Sequence, residues 1–226
     1  MAQRKWQFYM DNNAIAFLHR FRRLFAACPI NLFIRTDSDR ILELISRNIW
    51  PMIGKNICGM DLFAPVFRRL RKFVPSLLND FLLLRVVNCY SYGVFTEFPC
   101  DDSAAASDGQ AVAKWLFTPH PDKVPKVFKC YFEAHEQSLP SKIGVFKEAF
   151  ANASSPANFI IFIHFPPHFD HPVVTFDQTN ELTREQLALK RINDSHHFLL
   201  IRCPTARDES KWTKWEKEAI GWHIDD

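Results

Sequence analysis

His164, His168, Asp170 and His171 are the residues of this chain whose types and spacing come closest to metal-ligand chemistry. Imidazole and carboxylate together suit zinc, and a zinc-bound water would make the turn a metal-assisted hydrolase. The arrangement is irregular. His164 falls in an apolar run, and the other three follow Pro166 and Pro167 in a turn. His-Glu-x-x-His, which puts two imidazoles on one helical face, does not occur. The spacing therefore predicts a polar turn that binds no metal, with the hydrolase built on His164, His168 and His171 as the alternative. His196 and His197 fall where a loop meets a strand and are expected to meet solvent. Nucleophilic catalysis has no anchor either, since there is no Gly-x-Ser-x-Gly elbow. Cys100 precedes Asp101 and Asp102, and carboxylates raise a thiol pKa. The acid pairs Asp101–Asp102 and Asp225–Asp226 are read as solvated. The expectation is of no enzyme, no cofactor and no metal.

A second set of residues suits recognition. Arg35, Asp61, Arg85 and Lys129 are lone charges inside apolar runs that read as strands. Alternate strand residues face opposite ways, so a lone charge there is expected to point away from the core. The four could line a protein-binding face, or they could only keep the sheet soluble.

The elements that must position these residues follow from pattern. The most complete unit runs from Ser107 to Phe132. Ser107 and Gln110 form a capping box, and Val112, Trp115 and Leu116 share a helical face. Pro119 stops that helix. Val127, Lys129 and Tyr131 then alternate with Phe128, Cys130 and Phe132 as a strand. Upstream, residues 6–10 read as a strand, and a helix capped by Asp11 runs to about Ala26. Strands are predicted over Leu32–Arg35, Cys58–Phe63 and Phe81–Cys89. Between them lie a helix opened by Thr36 and Asp39, carrying Ile41, Leu44, Ile45 and Ile49 inward to Pro51, and a helix over Ala64–Phe73. Asp101–Asp108 is an exposed loop. Downstream come a helix over Lys142–Ala153 with Ile143, Phe146 and Phe150 inward, and an apolar strand over Asn158–Phe165. Three short strands follow, Val173–Phe176, Gln186–Arg191 and Phe198–Cys203, then an amphipathic helix over Asp208–Ile220.

The strand-to-strand period of roughly 25 residues lies within the range of leucine-rich repeats. Phe81, Leu84, Val86 and Cys89 occupy that repeat's key slots. The fold class expected is α/β: a leucine-rich-repeat-like stack of helix–strand units over residues 1–157, then an antiparallel β meander and a capping helix over 158–226, continuous as one domain.

Composition sets outer limits. With 226 residues, 47% of them hydrophobic and 22 phenylalanines, the chain can build a sizeable core. Six glycines argue against a glycine-rich phosphate loop. A net charge of +3 is too mild for a nucleic-acid footprint. The basic clusters Arg20, Arg22 and Arg23, and Arg68, Arg69, Arg71 and Lys72, read as solvated helix faces. No apolar run approaches the ~20 residues of a membrane span, and no signal peptide is visible. The six cysteines, Cys28, Cys58, Cys89, Cys100, Cys130 and Cys203, lack any Cys-x-x-Cys pair. Free thiols in a reducing compartment are expected, which places the chain in cytoplasm or nucleus.

Several motifs in order carry a resemblance. Asp-Asn-Asn-Ala-Ile-Ala-Phe-Leu (11–18), Asn-Ile-Trp-Pro-Met-Ile (48–53) and Asp-Gly-Gln-Ala-Val-Ala-Lys-Trp-Leu (108–116) are three of them. Phe-Lys-Glu-Ala-Phe (146–150), Thr-Asn-Glu-Leu-Thr (179–183) and Leu-Leu-Ile-Arg-Cys-Pro (199–204) are the others. Over about residues 6 to 224 the chain resembles the C-terminal region of the expanded F-box protein family of plant-parasitic cyst nematodes. The resemblance implies the substrate-recognition region of a ubiquitin ligase receptor, whose partner is an unknown target protein. The chain departs from the family in lacking the F-box helices ahead of Trp6. A Skp adaptor of a cullin–RING ligase is therefore expected as a partner only of a longer form. Nucleic acid and membrane are not expected partners.

Overall fold

The computed structural model describes residues 28–92, 94–132, 139–166, 173–192 and 196–221, together with positions 13, 16 and 20 in a helix. The strand predicted over 6–10, most of the helix predicted over 11–26, and His168, Asp170 and His171 lie outside the described residues.

Among the described residues eight strands form one mixed sheet. β1 (Ile30–Ile34), β2 (Ile57–Leu62), β3 (Val86–Tyr92), β4 (Lys126–Tyr131) and β5 (Phe159–His164) lie side by side in sequence order, all parallel. Beyond β5 the sheet turns antiparallel, in the order β8 (His197–Pro204), β7 (Glu185–Arg191), β6 (Phe176–Asn180). The protein is thus a mixed α/β fold with a parallel region and the antiparallel meander its C-terminal pattern predicts.

The helices obey local rules. Ser38 caps α1 (Asp39–Leu44) by accepting from the Ile41 N–H at 3.4 Å. Thr36, expected to be the cap, instead accepts from the Ser38 N–H at 3.2 Å. The chain widens into a π turn over Ile45–Ile49 and returns to α geometry in α2 (Trp50–Ile53), with Pro51 in its first turn. Pro51, which has no N–H to donate, falls where the chain leaves the π turn, the kind of helix irregularity that goes with proline. α3 (Ala64–Arg71) and α4 (Leu77–Asp80) follow. The apolar run expected to be strand from Phe81 begins as a turn, with the Leu84 N–H donating to the Phe81 carbonyl at 2.9 Å. Phe81 packs edge-on against Trp50 at 5.5 Å, and Leu82 and Leu83 are left exposed. α5 (Asp108–Phe117) carries the complete Ser107–Gln110 capping box, and α6 (Leu139–Ala151) precedes β5.

Alternation along the strands produces two cores. Met60, Val87, Phe128 and Ile161 face the large one, with Leu42, Leu70, Trp115, Phe146 and Phe150 from the helices. Val127, Ile160, Phe162, Leu199 and Ile201 face the other way, beneath Trp212 and Ala219 of α7 (Glu209–Gly221). The terminal helix therefore covers a sheet face. It was expected to cap the end of the stack. Over β4, β5 and β8 the sheet is closed on both sides, which leaves few strand positions there open to water.

Candidate functional site

One register row crosses the α7 side of the sheet: Phe33, Asp61, Asn88, Lys129, Phe162 and Leu199 are successive partners from β1 to β8. Two of the four predicted recognition residues sit in it, and both are buried, Asp61 at 1% and Lys129 at 2% exposure. The Lys129 ammonium donates to the Ile220 carbonyl of α7 at 3.1 Å and lies 5.1 Å over the Phe162 ring. Asn88 Nδ2 is 3.5 Å from Asp61 Oδ2. The expectation that Asp61 and Lys129 stand on an open face is therefore corrected. A charge that faces away from one core here meets a second layer: the Ile220 carbonyl accepts from Lys129, and the Asn88 amide faces Asp61.

Arg85 is half-buried and pairs with Asp122. Asp122 also contacts His120 Nδ1 at 2.6 Å and accepts the Val124 N–H at 3.0 Å. Burial works against ionisation of this carboxyl, but the Val124 N–H, His120 and the Arg85 charge together hold it below the usual carboxylate range. Arg85 thus ties the start of β3 to the proline-rich turn before β4. Arg35 alone of the four is exposed. It follows β1 two residues after Phe33, which is 52% exposed, and Phe63 just past β2 is 54% exposed. The paired register ends at Ile34 with Leu62, so Arg35 and Phe63 are the residues that follow the last pair of these two parallel strands.

The next row on this face is Tyr131, His164 and His197, at the carboxyl ends of β4 and β5 and the start of β8. His164 Nδ1 and His197 Nε2 are 2.7 Å apart, and the rings are 4.7 Å centre to centre. Tyr131 stands 5.2 Å from His164, and Phe162 stands 5.2 Å from His197. Burial lowers the pKa of both imidazoles, and neighbouring histidines push the same way. His196 is exposed as expected, whereas His197 is half-buried and engaged. The predicted strands 158–165 and 198–203, paired antiparallel, were the signal that could have joined His164 to His197. Among the described residues no group of three or more His, Cys, Asp or Glu is placed to hold a metal ion.

The second basic cluster divides. Arg68 is exposed, but Arg71 is buried and donates to the Ala106 carbonyl at 2.8 Å, the Ser103 carbonyl at 3.0 Å and Asp108 at 3.1 Å. It pins the 101–108 loop, beside a cleft of about 320 Å³ lined by Arg68, Lys72, Glu97 and Ser107. The cysteines are free thiols. Cys100 has its pKa raised by burial; the adjacent acids, expected to be the cause, are not what raises it.

No family model, curated protein or solved structure matches this chain. No helix among the described residues is long and apolar enough to cross a membrane.

Proposed function

We propose that the chain is a non-enzymatic protein-binding module, acting as the substrate-recognition region of an F-box-type ubiquitin ligase receptor in cytoplasm or nucleus. The observation that carries the binding part is the exposure of Phe33 and Arg35 at the end of β1 and of Phe63 just past β2, its parallel neighbour. Aromatic and arginine side chains are the types that dominate binding energy at protein interfaces. Large apolar groups left open together mark interaction surfaces. The receptor part rests on the motif resemblance. A Skp adaptor would join through an F-box on a longer form and would not bind these 226 residues. A leucine-rich-repeat-like stack belongs to the same reading, supported by five parallel strands that follow one another in sequence order.

The test is affinity capture with quantitative mass spectrometry, using the full chain and a Phe33→Ala/Arg35→Glu/Phe63→Ala variant. The expected outcome is a protein partner enriched on the wild type and lost on the variant, with melting temperatures within a few degrees. Equal capture by both chains would overturn the assigned surface. Tight binding of purified Skp adaptor to the 226-residue chain would overturn the adaptor statement.

A further inference from the structure

We propose that His164 and His197 form a two-imidazole site for a divalent transition metal of the copper(II) type, bound through His164 Nδ1 and His197 Nε2. The pair is built into the sheet. The two residues are direct antiparallel partners, and the adjoining pairs Ile163 with Phe198 and Phe162 with Leu199 fix their backbones. Four of those flanking positions are buried, so the ligands stand on rigid elements. Their nitrogens point at one another across 2.7 Å.

That separation selects a geometry. Two nitrogens about 2.0 Å from a metal are roughly 2.9 Å apart at right angles and roughly 3.3 Å apart in a tetrahedron. The observed 2.7 Å is a hydrogen-bond spacing, so both rings must turn to bring their lone pairs onto one ion, and the smaller accompanying opening is the one to the right-angle arrangement that copper(II) prefers. An all-imidazole donor pair with no carboxylate also disfavours calcium and magnesium, which take oxygen ligands.

Binding is balanced without a co-reactant. In the free pair one ring donates an N–H to the lone pair of the other. On metal entry the donor ring moves that proton to its other nitrogen, both facing nitrogens become ligands, and the hydrated ion sheds two waters. No net proton is released. Ligation takes the lone pair of each facing nitrogen, which the neutral imidazoles supply. Both rings are half-buried, which leaves the outer coordination positions to water. Arg191 does not oppose the ion from the same side: it lies 5.9 Å over Phe198, whose side chain enters the opposite core.

The experiment titrates the full chain with copper(II) chloride and reads electron paramagnetic resonance. One tight equivalent with two equatorial nitrogens is expected. His164→Gln and His197→Gln, which keep a polar side chain, should each weaken binding about tenfold or more by removing the second ligand. The chain has nine histidines, so a single-nitrogen spectrum, or affinity unchanged in either variant, would show adventitious copper and overturn the proposal. A one-nitrogen spectrum on the wild type overturns the proposal even if a variant fails to fold.

Discussion

Around β4 and around the meander, the sheet buries cations in two different ways. Lys126, at the start of β4, is 4% exposed and gives its ammonium to the Trp115 and Thr118 carbonyls at the C-terminal end of α5. Lys129 does the same with Ile220 near the end of α7. In the meander, Arg202 is fully buried and answered by a carboxylate, with its Nε 3.1 Å and its Nη2 2.6 Å from Glu185 Oε2. Glu185 Oε1 accepts the Ala157 N–H at 2.8 Å, and the Ser155 carbonyl accepts from Arg202 Nη2 at 2.8 Å. The helix ends offer partial negative charge, and the carboxylate offers a whole one. A lysine can also surrender its proton, whereas a guanidinium in a protein cannot. The two regions should therefore fail differently.

The largest effects come from removing what each cation rests on. Trp115 is 1% exposed and lies 5.2 Å beneath the Lys126 ammonium. Trp115→Ala is expected to cost about 3–5 kcal/mol in denaturant melts, the range for a buried large aromatic. A loss below about 1 kcal/mol would place the ring outside the core. In the meander, Glu185→Gln leaves the Arg202 charge buried without its counter-ion and is expected to cost about 3–5 kcal/mol. Arg202 also lies 4.9 Å over Phe117 and 5.2 Å over Phe150, so its surroundings are apolar enough to accept a neutral replacement. The double variant Glu185→Leu/Arg202→Met should recover much of the loss. If it melts no higher than Glu185→Gln, the pair holds the meander by something other than charge neutralisation.

The same contrast separates what was legible in the sequence from what was not. The α5 unit could be read because its signals are local: Ser107 and Gln110 are three residues apart and cap each other, and Trp115 follows on the same helix. Phe146 and Phe150 of α6 were found by helical spacing for the same reason. Glu185 and Arg202 are contributed by neighbouring strands, and their pairing needs the register. Lys129 was misread because its acceptor, Ile220, lies 91 residues downstream. Nothing near Lys129 in sequence announces a second layer. The apolar run at Phe81–Leu84 was misread for the opposite reason: local hydrophobicity was strong, but the turn leaves Leu82 at 71% and Leu83 at 49% exposure. For the candidate sites the lesson is alike. Arg35 kept its predicted exposure beside a sheet edge, while the central charges did not.

The smallest expected effect is the one that tells the two regions apart most cleanly, because it depends on pH. Burial lowers the Lys126 pKa to about 7, against about 10.4 for a lysine in an unfolded chain. Between those values the unfolded chain holds a proton on this side chain that the folded chain has lost. Stability then rises with pH, by up to about 1.4 kcal/mol per pH unit, and the rise stops above the unfolded value. Below pH 7 both states are protonated and this contribution is flat. Lys126→Met has no proton to exchange, so the wild type should gain on it steadily when both are melted from pH 7 to pH 9 under reducing conditions. The Glu185→Leu/Arg202→Met variant should keep the wild-type slope, since it retains Lys126. Parallel curves for wild type and Lys126→Met would mean that the carbonyls of Trp115 and Thr118 hold the lysine charged in the fold. Both regions would then bury a full positive charge, and the distinction between them would fall.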